Sequence, residues 1–322
     1  MARELLILRH GKSDWSEDAD DFHRPLKDRG KRAAQRTGVW LEQQGLLPDY
    51  IISSPAVRAL ETARKISKAM GMDSRQIKQE QAIYAASLSE LLGVLGNCPK
   101  KAGRVMIVGH NPGFENLLTH LSKTRIPLPK DANLLPTATL ARLKLPDDWR
   151  GLKAGCGELQ SITRPKNLPK IFPFPDFKGE EQRDRPAYYY TQSSVIPYRM
   201  QGDQPEILVV MSSQNKHWVV PKGISDPGMT LQESAAKEAL EEAGIEGEVE
   251  SLPLGSYTCE KWGAECTVHV YPMIVTHVLD ESVWEERHRG REWLSPDQAM
   301  KKVRQTKLKP MIEALVKQLK SN

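Results

Sequence analysis

The sequence predicts two domains of different fold class, an α/β domain followed by an α+β domain. The chain has 322 residues, more than one hydrophobic core usually supports. A segment rich in prolines and charges, residues 162–187, interrupts it and has the composition of an extended linker. We therefore place the domains at residues 1–165 and 187–322, with a proline-rich linker at 166–186.

The first domain alternates strand and helix patterns. Its predicted strands are three short apolar runs that fit buried parallel strands, at residues 4–10, 50–54 and 104–110. Its predicted helices are the amphipathic segments at residues 28–45, 56–71 and 87–97. Because strands and helices alternate along the chain, this half is expected to form an α/β sandwich.

The second domain is rich in β-strand patterns. The segments SSVIPYR, EILVVMSS, HWVVPKG and CTVHVYPMIVTHVL are dominated by β-branched and aromatic residues. Helical patterns cover only residues 230–243 and 309–319. This mixture predicts an α+β fold.

Charge and composition exclude several classes of function. Residues 1–164 contain 26 basic and 18 acidic residues, a net charge of +8, whereas residues 165–322 contain 20 and 23, a net charge of −3. A basic half joined to an acidic half suggests two sites that handle anions differently. No Lys/Arg run is interleaved with aromatic residues, so nucleic-acid binding is not favoured. No apolar run approaches the roughly 20 residues of a membrane span.

The four cysteines predict an intracellular location. Cys98, Cys156, Cys259 and Cys266 have neither CxxC nor zinc-finger spacing. Free thiols are typical of the cytoplasm, where we expect the chain to work.

Four residues near predicted strand ends in the first domain suggest a phosphate site. Arg9 and His10 close the first strand, Arg58 follows the second, and His110 closes the third. Sites in open α/β sheets form at the carboxyl ends of strands. Arginine binds phosphate through paired, permanently charged contacts, and histidine can attack phosphorus. The alternative is that each histidine is a surface residue at a strand end.

The sequence segments around these residues resemble the histidine phosphatase superfamily, in its short SixA-type phosphohistidine phosphatase branch. The matching stretches are LRHGKSDW, RPLKDRG, SSPAVRALETA, VGHNPGFENLL and LPTATLA, in that order. The resemblance implies a phosphoglycerate mutase-like sandwich with a mostly parallel sheet and no cofactor. It also implies that His10 is the nucleophile, with Arg9, Arg58 and His110 around the phosphate. Glu80 is the nearest candidate for the general acid of other members and is left unassigned.

An acidic segment in the second domain predicts a metal site. On a helix, Glu238, Glu241 and Glu242 stand at i, i+3 and i+4 and share one face, although like charges at this spacing repel. Three carboxylates on one rigid face suit a hard divalent cation such as Mg²⁺. The alternative is a solvated acidic face.

The segment from Gly223 to Ile245 resembles the Nudix box. It departs from that pattern at three positions: Lys237 stands for arginine, Ala239 for a larger aliphatic residue, and Met229 for the first glutamate. The glutamates that bind metal in the family are present. The resemblance extends over about residues 187–318 and implies a Nudix fold, a mixed sheet between helices.

The Nudix resemblance also implies cofactor and chemistry. Mg²⁺, with Mn²⁺ as an alternative, is expected at Glu238, Glu241 and Glu242. Of these, Glu241 and Glu242 are also assigned to catalysis, in which a glutamate activates the attacking water. Among Nudix enzymes, the sequence around the box is most similar to the diphosphoinositol polyphosphate and dinucleoside polyphosphate hydrolases. Those enzymes hold polyphosphate through basic residues outside the box. The candidates here are Arg199, Lys222, Arg289 and Arg291, with Ser212 and Ser213 as lesser ones.

Together these patterns predict a bifunctional phosphohydrolase acting on small phosphorylated substrates. The second domain would split a phosphoanhydride with Mg²⁺, and the first would remove phosphate without a metal. Alternatives are a phosphatase for a protein that carries phosphohistidine, joined to a Nudix domain that senses nucleotides, and an enzyme that removes oxidised nucleotides. Turnover of a phosphohistidine protein, or nucleotide binding without turnover, would distinguish the first of these.

Overall fold

The computed structural model describes residues 3–16, 19–129, 133–173 and 182–321. The chain divides into two compact units, Met1–Phe172 and Pro173–Asn322. Residues 174–181 of the predicted linker lie outside the described residues, and the predicted domain limits stay a prediction. Leu168 and Phe172, which precede residues 174–181, are buried, so these two side chains of the predicted linker are packed rather than solvated.

The first unit is built on a six-stranded sheet. Its strands are β1 (Arg3–Arg9), β2 (Tyr50–Ser53), β3 (Lys78–Gln79), β4 (Arg104–Gly109), β5 (Leu140–Leu145) and β6 (Glu158–Thr163). They lie in the order β3-β2-β4-β1-β5-β6. The first four are parallel, and β5 and β6 add an antiparallel edge. The predicted mostly parallel sheet is confirmed.

Helices cover both faces of this sheet. They are α1 (Asp28–Gln43), α2 (Val57–Ala69), α3 (Leu88–Gly96) and α4 (Gly113–Leu121). On β1, Leu5 and Ile7 share one core cluster with residues of α3 and α4. Leu6 and Leu8 face the other way, into a cluster with α1 and α2. A strand buried on both faces explains why the sequence of β1 is a continuous apolar run.

The second unit contains an eight-stranded sheet. Its strands are β9 (Thr191–Gln201), β10 (Gln204–Met211), β11 (Trp218–Val219), β12 (Lys222–Ile224), β13 (Ile245–Val249), β14 (Gly255–Lys261), β15 (Ala264–Val278) and β16 (Arg291–Leu294). β9 and β15 are parallel, and the other pairings are antiparallel. Two short strands, β7 (Phe172–Pro173) and β8 (Gln182–Arg183), lie on either side of residues 174–181.

Three helices enclose this mixed sheet. They are α5 (Leu231–Ala243), α6 (Pro296–Lys302) and α7 (Lys309–Ser321). One core cluster joins α5 to the sheet, and another joins α6 and α7 to it. The prediction of a mixed sheet between helices is therefore confirmed.

Helix α5 has clear start and stop signals. Thr230 and Glu233 form a capping box at its start, and Gly244 ends it in the left-handed conformation with φ of 60°. Its buried alanines, Ala235 and Ala239 among them, lie against the sheet. This packing fixes the direction in which the acidic residues of the helix point.

Candidate active sites

The carboxyl ends of three neighbouring parallel strands position the Arg/His cluster of the first unit. β1 ends at Arg9, next to His10; β4 leads to His110; and β2 leads through Ser54 to Arg58 at the start of α2. Since β4 lies between β1 and β2, these side chains meet at one edge of the sheet. His10, Arg58 and His110 are only 8%, 5% and 8% exposed. They are not the surface residues of the alternative interpretation.

The ring of His10 is held in the neutral form with Nε2 unprotonated. Its Nδ1 lies 2.7 Å from the carbonyl oxygen of Gly11. Because a carbonyl oxygen only accepts, Nδ1 carries the proton and donates it. Burial above all, and then electrostatic repulsion of a protonated ring by His110, Arg58 and Arg9, lowers the pKa of His10 to about 3. A neutral imidazole with a lone pair on Nε2 is the form that attacks phosphorus.

His110 stands beside His10 and is also neutral at pH 7. The two ring centroids are 5.0 Å apart, and Nε2 of His110 lies 2.9 Å from the hydroxyl oxygen of Ser54. Burial and the charge of Arg58 lower the pKa of His110 to about 4. Both imidazoles can therefore act as neutral polar groups next to permanently charged arginines.

Asp21 orients Arg58, a role that the sequence alone did not reveal. Its Oδ2 accepts hydrogen bonds from the guanidinium of Arg58 at 2.8 Å and from the hydroxyl of Tyr84 at 2.9 Å. Burial would raise the pKa of Asp21, but these donors lower it to about 2. The only sequence signal was an aspartate shortly before the RPLKDRG stretch.

Arg9 and Glu80 differ in how the structure places them. The guanidinium of Arg9 donates to the carbonyl oxygen of Leu135 at 2.8 Å, and its buried Nε has no hydrogen-bond partner within the described part of the chain. Glu80 begins a short turn, where its carboxylate accepts from the N–H of Ala82 at 3.4 Å. Among the described residues, no hydrogen bond links Glu80 to the histidines, so it stays unassigned.

Two of the predicted metal ligands, Glu238 and Glu242, lie partly buried on α5. Burial and the charge of Glu242 raise the pKa of Glu238 to about 7. Burial also raises the pKa of Glu242. The backbone N–H of Lys222 at 3.0 Å and the guanidinium of Arg289 at 2.8 Å act in the opposite direction and lower this pKa. The carboxylate of Glu238 occupies the space beside Gly223, where a Cβ would lie 2.0 Å from its Cδ. Two such carboxylates suit a shared proton or a divalent cation.

The third predicted ligand, Glu241, is placed differently. Its side chain is 40% exposed and lies 3.5 Å from the Nζ of Lys237, which also lies 3.2 Å from Asp226. In the described ranges, no group of three or more His, Cys, Asp or Glu side chains is arranged to hold a metal ion. The predicted three-carboxylate set is therefore not preassembled, because Glu241 pairs with Lys237. Sequence reasoning missed Asp226, the acidic residue between Gly223 and Met229.

Comparison with known proteins places both halves in families. The model of the histidine phosphatase superfamily (branch 1) matches residues 5–83, and the NUDIX domain model matches residues 191–315. The mitochondrial Nudix hydrolases 17 and 18 of Arabidopsis thaliana are 31% and 32% identical over 135 and 133 residues. Those matches cover 39% and 38% of this chain and 73% and 74% of the relatives. The chain belongs to the Nudix hydrolase family and carries a histidine phosphatase domain.

A solved structure is similar to the histidine phosphatase domain. The putative phosphohistidine phosphatase SixA from Nakamurella multipartita is 27% identical, with a TM-score of 0.43, and the match covers 51% of this chain and 97% of that one. The two family models and the Nudix relatives, rather than this structure, show that both domains belong to hydrolase families and that the chain is an enzyme that fuses two phosphohydrolase domains. Among the described residues, none of the helices combines the length and apolar character that a membrane crossing needs.

Two of the basic residues predicted to bind substrate lie at the acidic helix of the Nudix domain. Lys222 and Arg289 both contact Glu242. Arg289 is 7% exposed and also pairs with Glu286 at 2.5 Å. Lys222 contacts Glu242 through its backbone N–H, and its Nζ lies 3.5 Å from Oε1 of Gln192. Of the two, only Arg289 therefore places its side-chain charge directly on Glu242.

The other two basic candidates, Arg199 and Arg291, form contacts away from Glu242. Arg199 follows Ser194, the sheet partner of Lys222, by five residues on β9, roughly 17 Å along a strand. It pairs there with Glu206 at 2.8 Å. Arg291 donates to the carbonyl oxygens of Ala243, Gly244 and Leu279 and so closes the end of α5.

The two serines offered as lesser candidates lie in the turn after β10. Oγ of Ser212 accepts from the backbone N–H of Lys216 at 3.2 Å, and Ser213 is exposed. Neither contacts the residues of α5 by a hydrogen bond in the described part of the chain.

Proposed function

We propose that the histidine phosphatase domain transfers a phosphoryl group to His10 and then to water. The observation that carries this proposal is the bond from Nδ1 of His10 to the carbonyl oxygen of Gly11, which leaves Nε2 as the nucleophile. Nε2 forms a bond to phosphorus as the bond from phosphorus to the leaving oxygen breaks. Water then attacks phosphorus, and the nitrogen–phosphorus bond breaks.

Charged and neutral donors would stabilise this transfer. Arg9 and Arg58 neutralise the oxygens of the phosphoryl group, and Asp21 holds Arg58 in place. His110 would contact a phosphoryl oxygen as a neutral donor, since its low pKa disfavours the imidazolium form. Preorganised groups of this kind supply most of the rate enhancement in phosphoryl transfer.

We propose further that the Nudix domain hydrolyses a phosphoanhydride. Mg²⁺, with Mn²⁺ as an alternative, would be held by Glu238 and Glu242, with Glu241 joining them on release from Lys237, and would supply charge neutralisation at the phosphates. The backbone N–H of Lys222 orients the carboxylate of Glu242. Arg289 and Lys222 would bind phosphate oxygens next to it.

The substrates we propose are small compounds with phosphoanhydride bonds: dinucleoside polyphosphates, diphosphoinositol polyphosphates or nucleoside triphosphates. Anhydride cleavage exposes a terminal phosphate, which the histidine phosphatase domain could then remove. If the domains act in sequence, the phosphorylated product accumulates when His10 is replaced by alanine. We propose that the chain works in the cytoplasm, because Cys98, Cys156, Cys259 and Cys266 are free thiols, although two of its relatives are mitochondrial proteins.

The decisive experiment compares both activities of the full chain with and without EDTA. Substrates are a dinucleoside polyphosphate, a diphosphoinositol phosphate, an oxidised nucleotide, a phosphomonoester and a phosphohistidine protein. EDTA should stop anhydride cleavage and leave phosphomonoester or phosphohistidine hydrolysis unchanged. Loss of both activities, or of neither, would contradict two independent sites of different chemistry.

A further inference from the structure

A cavity in the histidine phosphatase domain is lined by five basic side chains. Its volume is about 380 Å³, within the range of pockets that hold small molecules. No carboxylate is among its lining residues in the described part of the chain. The basic residues are Lys12, Arg29, Arg36, Arg164 and Lys166.

These cations converge from three separate parts of the fold. Lys12 lies in the loop after β1, Arg29 and Arg36 lie on α1, and Arg164 and Lys166 follow β6. Arg164 is fixed by a hydrogen bond to the carbonyl oxygen of Asn133 at 2.9 Å. Like charges gathered from distant segments repel unless an anion lies between them.

Two polar groups at the cavity are buried without a partner. Thr139 is fully buried, and its Oγ1 makes no hydrogen bond to any described residue. The same holds for the buried Nε of Arg36, whose pKa is lowered by burial and by the charge of Arg32. Unsatisfied buried donors and acceptors are costly, and a ligand with phosphate oxygens would satisfy both.

We propose that this cavity binds a small compound with two or more phosphate groups. One phosphate group carries about −1.5 to −2 charges at neutral pH, so roughly two to three groups balance five cations. This goes beyond the proposed function, because neither His10 nor its phosphate-binding partners line the cavity. The two sites are nevertheless neighbours, since the backbone N–H of Arg9 donates to the carbonyl oxygen of Thr139.

The test is calorimetric titration of the full chain with inorganic tripolyphosphate. Every variant carries His10→Ala, and EDTA is present, so neither catalytic site consumes the probe. The double variant Arg36→Gln/Lys166→Gln should bind at least about tenfold more weakly, since each removes a charge-assisted contact. The matched control is Arg64→Gln/Lys101→Gln, which removes two exposed cations outside the cavity and should bind as the parent does.

Two further measurements separate binding from folding. Thr139→Val removes the unpartnered hydroxyl at nearly constant size, so the free protein should be at least as stable while tripolyphosphate raises its melting temperature less. Orthophosphate should bind at least about tenfold more weakly than tripolyphosphate, because it engages fewer cations. Absence of tripolyphosphate binding, or equal weakening in both double variants, would overturn the proposal.

Discussion

The two proposed catalytic sites of this chain differ in the sign of the charges that they gather. In the histidine phosphatase domain, Arg9 and Arg58 lie beside neutral imidazoles, and the carboxylate of Asp21 orients Arg58. In the Nudix domain, carboxylates crowd one helix, and Arg289 and a backbone N–H orient one of them. The first arrangement is complementary to a phosphate dianion by itself. The second repels phosphate unless a cation is added.

This contrast explains the direction of the pKa shifts. Burial favours the neutral form in both sites, so it lowers the pKa of His10 and raises that of Glu238. A neutral histidine is ready to attack phosphorus, whereas a protonated glutamate cannot bind metal. We therefore expect the same physical effect to prepare one site and to leave the other dependent on a cation.

The largest expected effect comes from His10→Ala. Loss of the nucleophile should lower phosphatase activity by at least about 10⁴-fold and leave anhydride cleavage of a substrate unchanged. Initial rates on a phosphomonoester and on a dinucleoside polyphosphate measure both. The matched control, His120→Ala, changes a histidine of α4 and should keep both rates. Full phosphatase activity in His10→Ala would contradict the assignment of His10 as the nucleophile.

Glu242→Gln should have the opposite selectivity and impair only the Nudix domain. The substitution keeps the size of the side chain and removes its charge, so anhydride cleavage should fall by about 10²–10³, with the phosphatase rate unchanged. Stabilisation of the protein by Mg²⁺ should weaken in thermal unfolding. Glu248→Gln, an exposed residue of β13, is the control. Normal cleavage by Glu242→Gln would mean that the helix is only a solvated acidic face.

Gly223→Ala should give a smaller effect at the same site. The added Cβ would lie 2.0 Å from Cδ of Glu238, and this flexible carboxylate can move while the fold persists. Mutation of a residue that positions a metal ligand typically costs about 10–100-fold in metal affinity. Titration of anhydride cleavage with Mg²⁺ should show a higher metal requirement. An unchanged requirement would show that Glu238 does not bind the cation.

Sequence reasoning succeeded where a regular element fixes the geometry. Strand ends placed His10 and His110 at one edge of the sheet, and helical periodicity placed the glutamates of α5 on one face. It failed where contacts join distant segments through side-chain rotamers. Asp21 and Tyr84 are 63 residues apart, and Glu241 turns to Lys237, which periodicity does not determine. Arg199 was a candidate by its position in the sequence, but its place along β9 depends on a sheet register that the sequence does not state.

The smallest expected effect concerns the NMR ring signals of His10 and His110, which should not change between pH 8 and pH 5. A histidine with the ordinary pKa of 6.5 gains a proton between pH 8 and pH 5, and its NMR ring signals shift accordingly. His10 and His110 have pKa values of about 3 and about 4, so their signals, assigned with His10→Ala and His110→Ala, should stay constant over this range. The unfolded chain binds these protons from pH 6.5 downward while the folded chain does not, so stability should fall as pH decreases below 6.5. A titration of either ring near pH 6.5 would show that its burial does not keep it neutral. The contrast between a site made ready by burial and one that awaits a cation would then be lost.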